Sequence, residues 1–351
     1  MAIKVGVAGC GYWGSKHLRV VDELPESELA AICDPNAAQL KKAAARYGGA
    51  LPTQSFDDLL ASGVEAVVVA TPANTHFPLV RQALLAGRHV LVEKPMAAST
   101  EEALELVHLA EERGLTLMVG STFLYSAPVR FLRELVQGGG LGRPLYIHSA
   151  RLNFGLLRQD VDVLWDLAPH DLAIISYVLD QVPVSLGARV VHCTGAALPE
   201  VAHADLRFRD DVLAHVEVSW LHPAKVRRLT IVGSAGMAVY DDVAAGEAVR
   251  IYDRKVTPRP AKNGAPPPVD YSFGDVRIPH LEEVEPLQAQ CAHFLQCIRT
   301  GERPLSDGRH GLEVVRILEA LERSAAAGGV MEPFDQMDLA RPVELRLGSA
   351  V

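Results

Sequence analysis

Short apolar runs alternate with amphipathic stretches over the first third of the chain. The runs are almost uninterrupted, as in strands that are buried on both faces, and they cover residues 3–8, 29–33, 66–70, 89–92 and 116–119. Helical periodicity begins between them at about Ser15 and continues over residues 37–47, 56–60, 76–86 and 100–113. This alternation predicts a doubly wound α/β domain with a parallel sheet over residues 1–121.

The pattern changes after about Ser121. Apolar and polar residues then alternate with period two, which is typical of antiparallel sheets with two different faces, over residues 145–153, 186–194, 201–208, 212–220, 227–232 and 237–240. Helices are predicted near residues 129–137, 166–179, 286–299 and 308–325, and the Pro-rich segment 257–268 is predicted to be a surface loop. Residues 122–351 are therefore predicted to form a second, α+β domain.

Composition narrows the classes of partner. The chain has 351 residues, of which 49% are hydrophobic, and a formal net charge of −9, which disfavours a nucleic-acid partner. No apolar run approaches the ~20 residues of a membrane span. The N-terminal stretch MAIKVGVAG enters a strand pattern without the features of a signal peptide, so a cytoplasmic location is expected. Five scattered cysteines and thirteen histidines show no metal-binding spacing, so no metal is expected.

A glycine pattern follows the first predicted strand. Gly9, Gly11 and Gly14 are spaced as G-x-G-x-x-G, and a helix is predicted after them. In that context the first glycine permits a tight turn, the second lets the backbone approach a pyrophosphate, and the third lets the helix pack close to the strand. Tyr12 and Trp13 lie inside the same turn and are also candidates for cofactor contact. The alternative is a glycine-rich turn that binds nothing.

An acidic residue follows the second predicted strand. Asp34 lies where a dinucleotide-binding domain carries the carboxylate that hydrogen-bonds the ribose hydroxyls. The same carboxylate would repel the 2′-phosphate of NADP, and no arginine follows it in Pro35, Asn36, Ala37 or Ala38. NAD is therefore the expected cofactor, with NADP disfavoured.

Two more strand ends point to the same crevice, because ligands bind at the carboxyl ends of strands in open α/β sheets. The first is the stretch ATPANTH, residues 70–76, and the second is HVLVEKPM, residues 89–96. Nicotinamide and substrate are expected to meet at the second stretch, although a charged strand end can also be merely solvated. The candidate cofactor residues here are Thr71, Pro72, Asn74, His76, Glu93 and Lys94.

These motifs resemble the glucose-fructose oxidoreductase, inositol dehydrogenase and rhizopine catabolism (Gfo/Idh/MocA) family of oxidoreductases. The resemblance is carried by GVAGCGYWG, ATPANTH, EKP at residues 93–95 and LWDLAPHDL at residues 164–172. It implies an N-terminal Rossmann domain, a C-terminal domain with a large open antiparallel sheet, and NAD or NADP chemistry on sugars or cyclitols. It also implies homodimers or homotetramers that associate through the sheet.

A narrower resemblance concerns the substrate. The stretches STFLYSAPVR, RLNFG, SWLHPAKVRRLTIVGS and PLQAQCAHFLQCIRTGERP are similar to a branch of the family that is found with surface-polysaccharide and nucleotide-sugar genes. Inositol dehydrogenases usually carry an arginine-rich stretch where this chain has Phe123, Leu124 and Tyr125. The expected reaction is therefore oxidation of a ring secondary alcohol, at C3 of a nucleotide-activated pyranose, with inositol or a free pyranose as the alternative.

Three residues are candidates for catalysis. His170 is the candidate base because imidazole titrates near neutral pH, and Asp166 lies one helical turn earlier on the same face. Lys94 would donate to the reacting oxygen and stabilise alkoxide charge. The alternatives are that Asp166 only caps a helix, with Pro169 in its first turn, and that His170 is a buried structural histidine.

Substrate contacts are expected from four residues that precede the predicted helix at 166–179. Arginine suits bidentate contact with phosphate or carboxylate, and an aromatic ring can stack on a sugar or base. Two functions of other classes stay open, a non-catalytic NAD-binding regulator and an NAD-dependent glycosidase. The candidate substrate residues are Tyr125, Arg151, Asn153 and Arg158.

Overall fold

The computed structural model describes residues 2–155, 157–259 and 268–335. These residues form two compact units, each with its own sheet. The first unit contains the chain up to Thr122 together with Glu285–Glu319, and the second contains Phe123–Val284 and Ala320–Asp335.

The first unit has a parallel sheet of six strands in the order β3-β2-β1-β4-β5-β6. This arrangement confirms the predicted doubly wound α/β fold. Its elements are β1 (Ile3–Ala8), α1 (Tyr12–Glu23), β2 (Ser27–Cys33), α2 (Ala37–Arg46), β3 (Leu51–Thr53), α3 (Phe56–Ala61), β4 (Ala66–Val69), α4 (His76–Leu85), β5 (His89–Val92), α5 (Thr100–Glu112) and β6 (Leu117–Val119).

Burial explains why the strands of this sheet read as continuous apolar runs. All four residues of β4 are buried, and so are Val90, Leu91 and Val92 in β5. Removing a valine or leucine side chain from water contributes about 1.5–3 kcal/mol to folding. The apolar runs therefore form the centre of the core, and the polar residues that follow them lie at the carboxyl edge of the sheet.

The second unit has a mixed sheet of nine strands in the order β14-β13-β12-β11-β7-β10-β9-β8-β15. Neighbouring strands are antiparallel except for β10 and β7, which are parallel. The remaining elements, in chain order, are α6 (Ala127–Gln137), β7 (Pro144–Phe154), α7 (Val163–Leu179), β8 (Ser185–Val191), β9 (Val201–Arg207), β10 (Leu213–Ser219), β11 (Leu221–Gly233), β12 (Met237–Asp241), β13 (Val249–Pro258), β14 (Val269–Arg277), α8 (Pro286–Thr300), α9 (Gly308–Ala326) and β15 (Glu332–Pro333).

Helix α7 covers one face of this sheet. Ser149 and Arg151 of β7 point to that face, and both hydrogen-bond the carboxylate of Asp171 on α7. Because side chains alternate along a strand, Tyr146 and His148 lie on the opposite face. The face that carries the arginine is the one that holds α7 and its candidate catalytic residues.

The units divide the chain differently from the predicted boundary. The sequence pattern predicts one domain for residues 122–351, whereas Glu285–Glu319 lies in the first unit. Helix α8 packs against α1, and Val119 of β6 donates its backbone N–H to the carbonyl of Ser306 at 2.7 Å. Apolar periodicity in α8 and α9 indicates a buried face but does not indicate which sheet covers it.

Three local predictions differ from the structure. Helix α1 begins at Tyr12 rather than near Ser15, with Gly11 as its N-cap. The segment 257–268 was predicted to be a loop, but its first residues complete β13, which pairs with β14; its residues 260–267 lie outside the described ranges. Across the described residues, none of the helices is long and apolar enough to cross a membrane.

Candidate active site

The glycine turn after β1 leaves room for a dinucleotide. Gly9 has φ +95°, and a Cβ built on it would lie 2.3 Å from the carbonyl oxygen of Ala70. A Cβ on Gly14 would lie 1.9 Å from the carbonyl oxygen of Gly9, so α1 packs directly against the turn. A Cβ on Gly11 would meet no atom within 4 Å, which leaves open space beside the N-terminus of α1. That space fits a pyrophosphate on a helix N-terminus.

Asp34 is held rigidly at the end of β2. Its side chain is largely buried, with the residue 7% exposed. One carboxylate oxygen accepts the backbone N–H of Cys10 at 2.7 Å, and the other accepts that of Asn36 at 2.8 Å. Each carboxylate oxygen has a second lone pair for a ribose hydroxyl. The glycine turn and the ribose-binding position are therefore connected, as a dinucleotide requires.

The loop after β4 carries the next candidates. Pro72 and Asn74 are exposed, and Thr71 accepts a hydrogen bond from the hydroxyl of Thr75 at 2.7 Å. His76 is 1% exposed, and its ring nitrogens lie 2.7 Å from the carbonyl oxygen of Pro95 and 2.9 Å from that of Thr71. Its imidazole therefore links two loops at the cofactor edge.

The segment after β5 is held by His17, a residue that the sequence pattern did not indicate. Glu93 is buried, and one of its carboxylate oxygens lies 2.8 Å from Nε2 of His17 on α1. Its other oxygen accepts the backbone N–H of Lys94 at 3.3 Å. Tyr12 and Trp13 pack edge to face beside this helix start, with the ammonium of Lys16 over both rings. No local signal connects His17 with a glutamate 76 residues away.

In the second unit, Asp166 lies on α7 within a polar cluster. One carboxylate oxygen accepts a hydrogen bond from Arg158 at 3.2 Å, and the other accepts one from the indole N–H of Trp220 at 3.2 Å. Helix α7 begins at Val163, and its N-cap is Asp162, which accepts the backbone N–H of Trp165 at 2.9 Å. The alternative that Asp166 caps the helix is therefore wrong. Its carboxylate is held in one place by two side chains.

His170 lies one turn further along α7 and is half-buried. The ring of Phe123 packs edge-on against it, with 5.1 Å between the ring centroids. Pro169, which precedes it, lies in the second turn of α7 rather than in the first, and it cannot donate to the carbonyl of Trp165. Phe123 is thus a contact of the candidate base that the sequence pattern did not indicate.

Two predicted substrate contacts are corrected by the structure. Arg151 is 5% exposed, and its Nε donates at 2.6 Å to one oxygen of Asp171 while an Nη donates at 3.2 Å to the other. Its guanidinium also lies 4.6 Å from the ring of Phe123, so it acts inside the fold instead of holding an anionic substrate group. Tyr125 is 1% exposed, so its ring packs in the core and cannot stack on a sugar.

The other two candidate substrate residues are more accessible. Asn153 is half-buried and shares with Arg151 the face of β7 that α7 covers. The side chain of Arg158 is 39% exposed, and it hydrogen-bonds Asp160 at 2.7 and 2.9 Å as well as Asp166. These contacts raise the pKa of the guanidinium, mainly through Asp160. Arg158 is therefore the better placed of the two predicted arginines for an anionic ligand.

A groove of about 590 Å³ lies on the opposite face of the same sheet. It is lined by His148 and His215, whose rings stack at 5.5 Å, and by Tyr146 and Leu213. Burial, followed by the neighbouring His215, lowers the pKa of His148. Because strand side chains alternate, this groove faces away from α7 and does not belong to the candidate site. Within the described part of the chain, no group of three or more His, Cys, Asp or Glu residues has an arrangement suited to a metal ion.

Comparison with protein families gives two matches. Residues 3–121 match the GFO_IDH_MocA family, described as an oxidoreductase family with an NAD-binding Rossmann fold. Residues 129–239 match the GFO/IDH/MocA C-terminal domain. The first match contains all six strands of the parallel sheet, and the second contains β7 to β11 and the start of β12.

Comparison with individual proteins covers almost the whole chain. UDP-N-acetylglucosamine 3-dehydrogenase from Acidithiobacillus ferrooxidans is 31% identical over 316 residues, which is 89% of this chain and 94% of that protein. The crystal structure of that enzyme, GnnA, aligns with a TM-score of 0.78 and 28% identity over 93% of this chain and 98% of that one. GenD2 from gentamicin A biosynthesis, solved in complex with NAD, aligns with a TM-score of 0.80 and 26% identity over 95% of this chain and 97% of that one.

Proposed function

The chain belongs to the GFO/IDH/MocA oxidoreductase family and is an NAD-binding dehydrogenase of the sugar type, and on that premise we propose that it oxidises C3 of a nucleotide-activated pyranose. The observation that carries the substrate class is the near-full-length similarity to UDP-N-acetylglucosamine 3-dehydrogenase in both sequence and structure. Asp34, held by two backbone amides, supports NAD as the cofactor rather than NADP.

The proposed chemistry divides the alcohol's two hydrogens between two acceptors. NAD, when bound, supplies the hydride acceptor for the hydrogen on the ring carbon. His170 takes the hydroxyl proton as a general base, and the carbon–oxygen bond becomes a carbonyl. Lys94 donates to the oxygen and stabilises the negative charge that develops on it. Asp166, fixed by Arg158 and Trp220, orients a neighbouring hydroxyl or the base itself.

The role of His170 has a direct test. The pH profile of kcat/KM should show an ionisation that disappears in His170→Asn, because asparagine keeps a polar group but cannot accept a proton in this range. An unchanged profile at a reduced rate would assign the proton to another group.

The substrate class is tested by comparing kcat/KM for UDP-sugars, free pyranoses and myo-inositol, with NADH formation as the signal. Arg158→Ala should raise KM for UDP-sugars by roughly 10- to 100-fold, because a lost charged hydrogen bond costs about 1.5–3 kcal/mol. Arg250→Ala is the matched control, because Arg250 is also a partly exposed arginine that pairs with a nearby carboxylate, that of Glu247.

Three results would contradict the proposal. A free pyranose or inositol that outperforms every UDP-sugar would make the runner-up substrate class correct. An Arg158→Ala enzyme that behaves like the Arg250→Ala enzyme would remove the assigned anion contact. Sugar release without net NADH would instead indicate an NAD-dependent glycosidase.

A further inference from the structure

The segment that carries Lys94 is held at both ends by buried imidazoles. His17 on α1 lies against the side chain of Glu93, and His76 lies against the carbonyl of Pro95. Both histidines are 1% exposed, and both belong to the same unit as Lys94. Neither side chain can reach a ligand in solution, so each histidine can act only through the groups that it contacts.

The carboxylate of Glu93 contacts both His17 and the backbone of Lys94. One oxygen of the Glu93 carboxylate lies 2.8 Å from Nε2 of His17, and the other accepts the N–H of Lys94 at 3.3 Å. A Cβ on Gly120 would lie only 3.1 Å from Cδ of Glu93, so the residue after β6 closes over the carboxylate. The carboxylate therefore has a single position, and that position sets where the chain leaves β5.

The second ring nitrogen of His17 is also in contact with a side chain. Its Nδ1 lies 3.7 Å from the thiol of Cys291 on α8, which belongs to the same unit. Burial by itself lowers the pKa of His17, but the hydrogen bonds to Cys291 and Glu93 outweigh it and raise the pKa to about 10. Nε2 of His17 and the carboxylate of Glu93 form a buried pair, 2.8 Å apart. Breaking one partner of such a pair leaves an uncompensated charge.

The contact at the other end joins two loops. His76 begins α4 after the β4 loop, and its ring reaches the carbonyl of Thr71 in that loop and the carbonyl of Pro95 after β5. Burial is the main cause that lowers the pKa of His76, and its hydrogen bonds to the two carbonyls act in the opposite direction. Both loops lie at the carboxyl ends of neighbouring parallel strands.

We infer that His17 and His76 are positioning residues that fix the backbone on either side of Lys94 and so set the direction of its ammonium group. The inference rests on the proposed role of Lys94 as the donor to the reacting oxygen. A side chain that must meet a reacting atom within a few tenths of an ångström needs such support, and misplacement by about 1 Å can cost on the order of 10²-fold in rate.

The test uses His17→Gln and His76→Gln in the full-length protein, with His89→Asn as the matched control. His89 is a half-buried histidine at the opposite end of β5, where its Nδ1 accepts the N–H of Thr116 at 3.0 Å. We expect kcat to fall about 10- to 100-fold in the first two variants, with a smaller change in the dissociation constant of NAD, and to stay within about threefold in the control.

A second measurement does not depend on turnover. Reductive ¹³C-methylation gives each lysine an NMR signal, and the signal of Lys94 is the one missing from Lys94→Ala. We expect this signal to move in His17→Gln and in His76→Gln without NAD, and to stay in place in His89→Asn. Adding His17→Gln to Lys94→Ala should cost no further activity, since there is no ammonium left to position.

Glu93→Gln is the variant to use if His17→Gln does not fold. It keeps the size of the side chain but has one acceptor oxygen in place of two. The N–H groups of His17 and Lys94 each need an oxygen, so one of them loses its partner and kcat should fall in the same way. The inference is overturned if the Lys94 signal and kcat are unchanged in the histidine variants, if His89→Asn loses as much activity, or if the losses add in the Lys94→Ala background. A Lys94→Ala enzyme with the parent's rate would refute the role of Lys94 itself, while the NMR signal would still report on its positioning.

Discussion

At the ribose end of the cofactor site, Asp34 is expected to decide which dinucleotide binds. Its two oxygens are fixed by the N–H groups of Cys10 and Asn36, so the negative charge cannot move away from a 2′-phosphate. Asp34→Ala should weaken NAD binding by roughly 10- to 100-fold, because the lost hydrogen bonds involve a charged group. Binding of NADP should weaken less or improve, and titration of both cofactors measures the difference.

Asp58→Ala is the control for that experiment. Asp58 is an exposed aspartate in the same unit, and its carboxylate accepts the hydroxyl of Thr53. The parent and the control should both prefer NAD. Tighter binding of NADP by the parent would contradict the role of Asp34.

Glu313 on α9 gives a pH-dependent prediction about stability. Burial raises its pKa to about 7 from an ordinary value of 4.5, with Arg316 acting in the opposite direction. The folded state therefore holds a proton that the unfolded state releases between pH 4.5 and 7, and stability falls as the pH rises through that window. Glu313→Gln should raise the urea midpoint at pH 8, by the equivalent of at most roughly 3 kcal/mol, and change it little at pH 4.5.

Glu112→Gln is the control, since Glu112 is exposed at the end of α5. It should leave the urea midpoint unchanged at both pH values, because surface substitutions cost little. Equal midpoints for Glu313→Gln and the parent at pH 8 would mean that the buried carboxylate carries no penalty.

Single residues were predictable where a local pattern specifies them. The glycines and Asp34 follow from their spacing after two strands. The environments of Arg151 and Tyr125 could not be predicted in this way. Arg151 pairs with Asp171 and Tyr125 packs in the core, and both arrangements depend on packing that the local sequence does not encode. His17 was missed for the same reason, since its contacts lie on β5 and α8.

At the scale of elements, the start of α1 is the most constrained feature of the first unit. Gly14 touches Gly9, whereas Gly11 faces open space. Gly14→Ala should therefore push the helix away from the turn and lower both stability and NAD affinity. Gly11→Ala should fold like the parent yet bind NAD poorly, because the methyl group occupies the space for the pyrophosphate.

Thermal unfolding and NAD titration separate these two effects. Gly87→Ala is not a suitable control because Gly87 has φ +74°, so Gly48→Ala is used, where a Cβ would meet nothing within 4 Å. Normal NAD binding by Gly11→Ala would show that the pyrophosphate does not lie beside this residue.

Elements with a strong apolar period were predictable, and those fixed by pairing were not. Five of the six parallel strands of the first unit have nearly the predicted bounds, whereas the short edge strand β3 was not predicted. The long hairpin of β13 and β14 was not predicted, since every residue of β14 is exposed and no buried face marks the strand. Pro169 lies inside α7, where a proline ordinarily indicates a helix end.

At the scale of the whole molecule, the family and both sheets were predictable, while the division of the chain was not. The residues Glu285–Glu319 return to the first unit and supply Cys291, which contacts His17. A boundary read from composition places them with the preceding strands, because chain order is the only information it uses. The assignment of the function therefore depends on each unit's own residues and on the near-full-length relatives.

The most direct test of the central claim follows the hydride itself. UDP-N-acetylglucosamine that carries deuterium at C3 is incubated with the enzyme and NAD, and the reduced cofactor and the sugar product are analysed by mass spectrometry. The account predicts that the deuterium moves to the cofactor and that the product retains the nucleotide while bearing a carbonyl at C3. Two results would contradict this prediction. One is reduced cofactor that carries no deuterium, and the other is turnover of a free sugar or inositol when no UDP-sugar reacts.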